Sequence, residues 1–428
     1  MSRPNKIGSA FCPQSPILDE SPRTARTRSA PAKSVGLALS LLLGASACNS
    51  SPATQAPDMG VPPAPDMASG AILAVTCSDF NTGSLSTVGL GSRAVKKDID
   101  SIDPLTVARG FGNMLYVIDQ SAGVVRAYDA RQDFKNPIEF PASKAVTIKG
   151  FEADPHDIYI DAPRQLAYVS LYGTPGTLPV NASRALGVID LKNPDQGITN
   201  FVPLTAAAAD ADGNPEADRM EACGDKLYVV LLDQDRNNSY APTGPGRLAV
   251  VNLTNPGTPS YIQLAGRNPS GLTILPGCTE AIVGSAADLF GGVQAGLGGI
   301  ERVDLVGLKS MGLVVKDTDL GGNVGTLDAV DAGHVFVAVS VKTGTTYNNT
   351  IYSVDLATKQ KSAALLGPMS FVPSIRLLGG SLVVLSAGTA GAGQLPVGLY
   401  VGPATGAALS AVPLDVGLPP QSVALVTP

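Results

Sequence analysis

The chain has no tryptophan, only two histidines and only five cysteines among its 428 residues. Aromatic residues make up 5% and charged residues 15%, with a net charge of −6. Each shortage excludes something. No Cys-x-x-Cys-His occurs, which excludes c-type haem attachment, and no Cys-x-x-Cys or Cys/His cluster offers a zinc site. A sparse, acidic charge does not suit a nucleic-acid binder, which needs a basic face. It is also too sparse for an acidic disordered chain. The apolar run at residues 35–47, VGLALSLLLGASA, is too short to span a bilayer. What the chain has in plenty is glycine (47), proline (34) and small aliphatics, the composition of a turn-rich fold with a large core.

That apolar run instead suits the core of a signal peptide. Arg23, Arg26, Arg28 and Lys33 precede it, and Ala45-Ser46-Ala47-Cys48 closes it. Residues 1–47 hold six Lys/Arg against Asp19 and Glu20, so the remainder of the chain carries a net −10. Small residues before a cysteine resemble the bacterial lipobox, in which Cys48 would be lipidated and become the mature N-terminus. Ala45 stands where that family usually has leucine, so cleavage by an ordinary signal peptidase after Ala47 stays open. Residues 48–69 are rich in Pro, Ala and Ser and repeat APDM. Such a stretch cannot bury enough apolar surface to fold and reads as a disordered tether. Asn49 follows the cysteine, which by the same resemblance favours the outer membrane of the cell envelope.

Beyond residue 70 one sentence is rewritten many times. Residues 112–129, GNMLYVIDQSAGVVRAYD, alternate apolar and polar on either side of a Gly-containing turn, the pattern of a β-hairpin with one buried face. It returns around residues 71–90, 166–190, 227–253, 280–305, 335–355 and 382–401, which makes seven hairpins. A short apolar run precedes each hairpin after the first, and another follows most of them. Four strands at a spacing of about fifty residues is how a β-propeller blade looks in sequence. The ends supply the test. The first hairpin has no preceding inner strand, and residues 421–426, QSVALV, have no following hairpin. A C-terminal strand that completes the first blade would close the ring and remove its open edges. The expectation is therefore an all-β, seven-bladed propeller over residues 70–428. Irregular stretches at 133–148 and 183–204 leave six or eight blades open.

The hairpins resemble the YVTN type of propeller repeat: Leu115-Tyr116-Val117 and Leu227-Tyr228-Val229 on second strands, Val188-Ile189-Asp190 on a third. The absence of tryptophan separates the chain from WD40 repeats and from tryptophan-docked quinoprotein blades. In a four-stranded blade the second-to-third and blade-to-blade connections share one face. Here those connections are long and the first-to-second turns terse, so any function concentrates on the long-loop face.

Three groups of residues carry candidate chemistry. Asp210, Asp212, Asn214, Glu216, Asp218 and Glu221 stand at positions 1, 3, 5, 7, 9 and 12 of a loop, the oxygen-ligand spacing of an EF-hand-type calcium site. Pro215 occupies the place of that family's glycine and no helices flank the loop, so a solvated acidic loop is the competing reading. The second group is His156 with Asp157, a histidine beside a carboxylate that could serve as a general base, or a turn histidine bonded to backbone. Aligning the prolines before the inner strands puts Leu105, His156, Ser270, Ser374 and Gln421 at equivalent sites near the mouth of a central channel. His334 reads as a turn residue. The third group is Cys223 and Cys278, at first-to-second turns of successive blades, where an exported protein could pair them; Cys77 is left free.

These readings lead to a cell-envelope lipoprotein, membrane-bound through its lipid alone. Its propeller binds protein or glycan, not nucleic acid, without catalysis. The alternative is a calcium-assisted propeller hydrolase of lactonase type.

Overall fold

A computed structural model describes residues 70–120, 122–141, 154–172, 185–204, 214–235, 240–287 and 296–428. The expected signal peptide, Cys48 and the tether lie outside the described residues. No described helix is long and apolar enough to cross a membrane. Among the described residues seven antiparallel sheets follow one another along the chain, with a small two-stranded one, Gln234–Asp235 with Ala241–Pro242, besides. Blades 2 to 5 each run in simple order from an inner strand outward: Thr106–Phe111, Pro155–Asp161, Ala217–Cys223 and Pro269–Ile274 are the inner strands. Blade 6 starts at Asn323–Ala329, and its outer position is shared by Gln360–Lys361 and Leu366–Met369. Blade 7 has three strands from Ile375–Leu378 outward, with a single bridge between Leu399 and Leu414 in the fourth place.

Blade 1 is assembled from both ends of the domain. Ile72–Ser78, Gly83–Gly89 and Val95–Ile102 supply three strands, and Pro420–Val426 pairs with Ile72–Ser78 as the fourth and innermost. The missing and surplus strands of the sequence are thus one closure. The fold is a seven-bladed β-propeller.

The repeated sequence follows from two requirements. First, a blade has two buried faces, because each packs against the next. Seven clusters of buried side chains result, one at each junction between blades; Leu73, Val75, Leu385, Leu399 and Val423 form part of the one between blades 7 and 1. Tyr128, Tyr168, Tyr228 and Tyr400 are almost fully buried and give these junctions their aromatic bulk in a chain without tryptophan. Second, each third strand must turn back sharply. Asp129, Asp190, Asn252, Asp304 and Asp355 end the third strands of blades 2 to 6, and each accepts a backbone N–H two residues on. This Asx turn explains why an Asp or Asn closes each of these third strands. The residue after it then donates its amide to the first-to-second turn of the same blade, as Leu253 does to Asp225 at 2.8 Å and Leu356 to Gly333 at 2.7 Å. One short motif ties two turns together.

The outer strand of blade 2 lies at Ile138–Pro141, ahead of the apolar run at 145–148, which falls outside the described residues. Cys223 and Cys278 form a disulfide between the first-to-second turns of blades 4 and 5, with Cα atoms 5.9 Å apart. Cys77 is free and buried, and burial pushes its thiol up to about 12, so it stays an inert core residue.

Two consequences are measurable. At the closing seam, a Cβ on Gly110 would sit 1.9 Å from the backbone oxygen of Leu425. Gly110→Ala should therefore cost about 1–3 kcal/mol in chemical unfolding, the range for overpacking; an unchanged midpoint would show that the seam can yield. The disulfide joins residues 55 apart, and a Cys223→Ser/Cys278→Ser double variant should lose about 2–4 kcal/mol. That loss should be matched by reduction of the native protein.

Candidate functional site

The inner strands converge on the central channel, and polar side chains stitch them together. The Ser422 hydroxyl of blade 1 accepts the amide of Ala108 in blade 2 at 3.0 Å. Arg109 of blade 2 grips Asp157 of blade 3 with two hydrogen bonds, Nε to Oδ1 at 2.5 Å and Nη2 to Oδ2 at 2.6 Å. Asp157 also accepts the amide of Met220 in blade 4 at 2.7 Å. Glu221 of blade 4 accepts that of Ile274 in blade 5 at 2.9 Å. Asp328 of blade 6 takes the Thr273 hydroxyl of blade 5 at 2.8 Å and the Leu377 amide of blade 7 at 2.7 Å. Six of the seven junctions are bridged in this way. A buried carboxylate facing two or three donors keeps its charge satisfied away from water.

Where the inner strands begin, the ring opens into a cavity of about 290 Å³. Thr106, His156, Asp218, Ser270, Ser374 and Gln421 line it, with Arg109, Arg219 and Arg376 reaching in from below. Leu232 and Gln234, from the second-to-third connection of blade 4, place its mouth on the long-loop face. The proline register located His156, Ser270, Ser374 and Gln421 here; at the fifth site the lining residue is Thr106, next to Leu105. His156 and Ser270 sit at bulges of their strands, which turn both toward the channel. The residues before Pro155 and Pro269, Asp154 and Asn268, take left-handed φ of 39° and 50° that bend the chain into the inner strand.

His156 is the most constrained member of the site. Its ring stacks on Tyr172 at 4.2 Å and 12°. Nδ1 lies 3.2 Å from Asp218 of the next blade, and Nε2 3.4 Å from Asp154. Burial alone would lower its pKa, but Asp154 and Asp218 outweigh that and lift it to about 10. The side chain keeps 23% of its surface exposed at the cavity. At neutral pH His156 is therefore an imidazolium that donates from both nitrogens, and it cannot take up a proton as a general base. Asp157, which points from the adjacent position into the Arg109 grip, does not touch it as a partner.

The four expected calcium ligands that lie within the described residues part company. Asp210 and Asp212 lie outside the described residues. Asn214 donates to the carbonyl of Tyr172 at 2.7 Å, and Glu216 accepts the amide of Gln234 at 2.8 Å. Asp218 faces His156, and Glu221 faces blade 5. Among the described residues no cluster of three or more His, Cys, Asp or Glu is placed to hold a metal ion. His334 sits at an exposed turn beside Asp331.

Sequence reasoning missed the arginines. Arg109 and Arg376 each interrupt an otherwise mostly apolar or small inner strand, which was the available signal, whereas Arg219 stands in a strand that also carries Asp218 and Glu221.

Neither a scan of protein-family models nor a search of curated proteins gives a match. Solved structures do. A protein from Lactobacillus plantarum is 15% identical, with a TM-score of 0.55, covering 83% of this chain and 99% of its own. A Bacteroides uniformis protein put forward as a 6-phosphogluconolactonase is 12% identical at the same TM-score, again over 83% and 99%. A functionally unknown protein of Desulfotomaculum acetoxidans, 11% identical at a TM-score of 0.50, covers 84% and 100%. The likeness is one of fold.

The charge on His156 is open to direct measurement. Because the chain has only two histidines, a nitrogen-detected NMR titration can follow both, with His334→Gln assigning the signals. His156 should remain protonated through pH 8, and Asp218→Asn should lower its pKa by at least one unit. The sign for stability follows. A folded pKa near 10 against 6.5 unfolded gives stabilisation that is complete below pH 6.5 and disappears as pH rises through 10. The melting-temperature gap between wild type and Asp218→Asn should shrink across that window. Titration of His156 below pH 7 would refute the assignment.

Proposed function

We propose that this protein is a lipid-anchored protein of the cell envelope whose propeller binds a ligand, glycan or protein, without transforming it. The ligand is received on the long-loop face, where the channel opens. The observation that carries this reading is the cavity itself: polar, preformed, and lined by fixed polar and charged side chains, with its one histidine held between two carboxylates rather than poised to take up a proton. Small-molecule sites are concave and largely preformed, with a few fixed polar groups setting orientation. The anchor rests on the basic stretch, apolar run and Cys48 of the sequence.

A second reading draws on one specific feature. His156 has a carboxylate from its own blade and another from the next, inside the cavity, and a solved neighbour of the same fold is put forward as a lactonase. An imidazolium can act as a general acid, so hydrolysis of a lactone is the chemistry to look for.

The two readings separate in one assay. Purified full-length protein should hydrolyse a panel of five- and six-membered lactones no faster than its His156→Gln variant. A rate that falls tenfold or more in the variant would make the protein an enzyme. For the anchor, radiolabelled palmitate should be incorporated by wild type and not by Cys48→Ala, which should shift to the soluble fraction. Retention of Cys48→Ala in the membrane would remove the anchor from the proposal.

A further inference from the structure

The cations of the cavity are not all spent. Asp157 takes two donors of Arg109. Asp154 and Asp218 neutralise His156. Arg376 comes only within 3.8 Å of Asp328, whose oxygens are already occupied by Thr273 and Leu377, and its Nε has no hydrogen-bond partner. Arg219, which follows Asp218 at the strand's bulge, makes no hydrogen bond or ion pair among the described residues. Burial, with Arg109 and Arg376 close by, lowers its pKa although Asp218 and Asp157 act the other way, so the nearby carboxylates do not fully compensate its charge. Two guanidinium groups thus stand in a half-buried cavity with donors unused. A planar fork of donors matches a carboxylate, and the match strengthens where water is scarce.

The rest of the lining narrows the ligand. Ser270, Ser374, Gln421 and Ser422 surround the arginines with hydroxyls and amides, groups that both donate and accept and so suit a polyol. The volume, about 290 Å³, falls just below the ~300–1,000 Å³ range of ligand sites, which fits a single sugar ring. We infer that Arg219 and Arg376 hold the carboxylate of an acidic sugar, a uronic acid or the acidic end of a glycan, at the mouth of the channel. This rests on the binding reading above and gives it a ligand class. A carboxylate there would place the missing negative charge beside Arg219, while ring hydroxyls meet the surrounding serines and glutamine.

The test is calorimetric titration of the purified full-length chain with D-glucuronate, D-glucose and inorganic phosphate at pH 7 and low salt. Glucuronate should bind at least tenfold more tightly than glucose and than phosphate. Arg219→Gln and Arg376→Gln should each weaken it at least tenfold, while Arg219→Lys retains part of the affinity. Arg219 makes no hydrogen bond or ion pair among the described residues, so its variants should melt with the wild type, and that melt is the control for folding. Absence of glucuronate binding, equal affinity for glucose, tighter binding of phosphate, or wild-type affinity in a folded Arg219→Gln each overturns the inference. None of those results bears on the anchor or on the lactone assay, so the broader reading fails or survives separately.

Discussion

The structure depends on one strand pairing. Pro420–Val426 completes the blade begun by Ile72–Ser78, with Val426 opposite Ile72 and Val423 opposite Val75. Without it, blade 1 would lack its inner strand and the junctions on both sides would lose apolar partners, among them Val423, Ala424 and Val426. An open propeller exposes two sheet edges and two apolar faces; a closed one exposes neither. Contacts of very high sequence separation are the entropic cost of this closure. The close approach of Gly110 to Leu425 shows how tightly the seam is drawn.

The fold was legible because each blade repeats the same local solutions. Alternating strands mark one buried face and short continuous apolar runs mark strands covered on both, while Asp or Asn at the end of a third strand marks an Asx turn, a purely local interaction. The extra strand at the end was readable for a global reason: a ring must close. Blade 7 shows the limit. Its fourth place holds a single bridge, at Leu399 and Leu414, because pairing there is made by an irregular segment without alternation. The C-terminal strand was therefore easier to find than the edge next to it.

The site was legible only in part, and the division has a physical cause. Residues aligned on the prolines occupy equivalent places in the blades that carry one, so position alone brought His156, Ser270, Ser374 and Gln421 together. Arg109, Arg219 and Arg376 enter from three blades, and nothing local in their strands states which carboxylates they will meet. The acidic spacing between residues 210 and 221 shows the converse. A linear pattern suited to one ion is divided by strand geometry, which sends Asp218 to His156 and Glu221 to Ile274 of the next blade. Alternate residues of a strand face opposite ways, whereas a calcium loop must curl them inward.

The same constraint that closes the ring also produces the cavity. Seven inner strands around one axis leave more space than their side chains can fill with apolar atoms, so water reaches the channel and the strands need polar side chains to link them. Carboxylates serve because one group can accept a neighbour's amide and a guanidinium at once, as Asp157 does. Every such carboxylate invites a cation, and the cations need not balance at every depth. Near the mouth, two of Asp218's neighbours compete for it: His156 has it, with Nδ1 3.2 Å from Oδ1, and Arg219 is left over. A propeller held together by charged links is thus predisposed to leave an unpaired charge at its opening. That residue of imbalance is where a ligand of opposite sign gains the most, because the protein has already met the cost of dehydrating the guanidinium in folding.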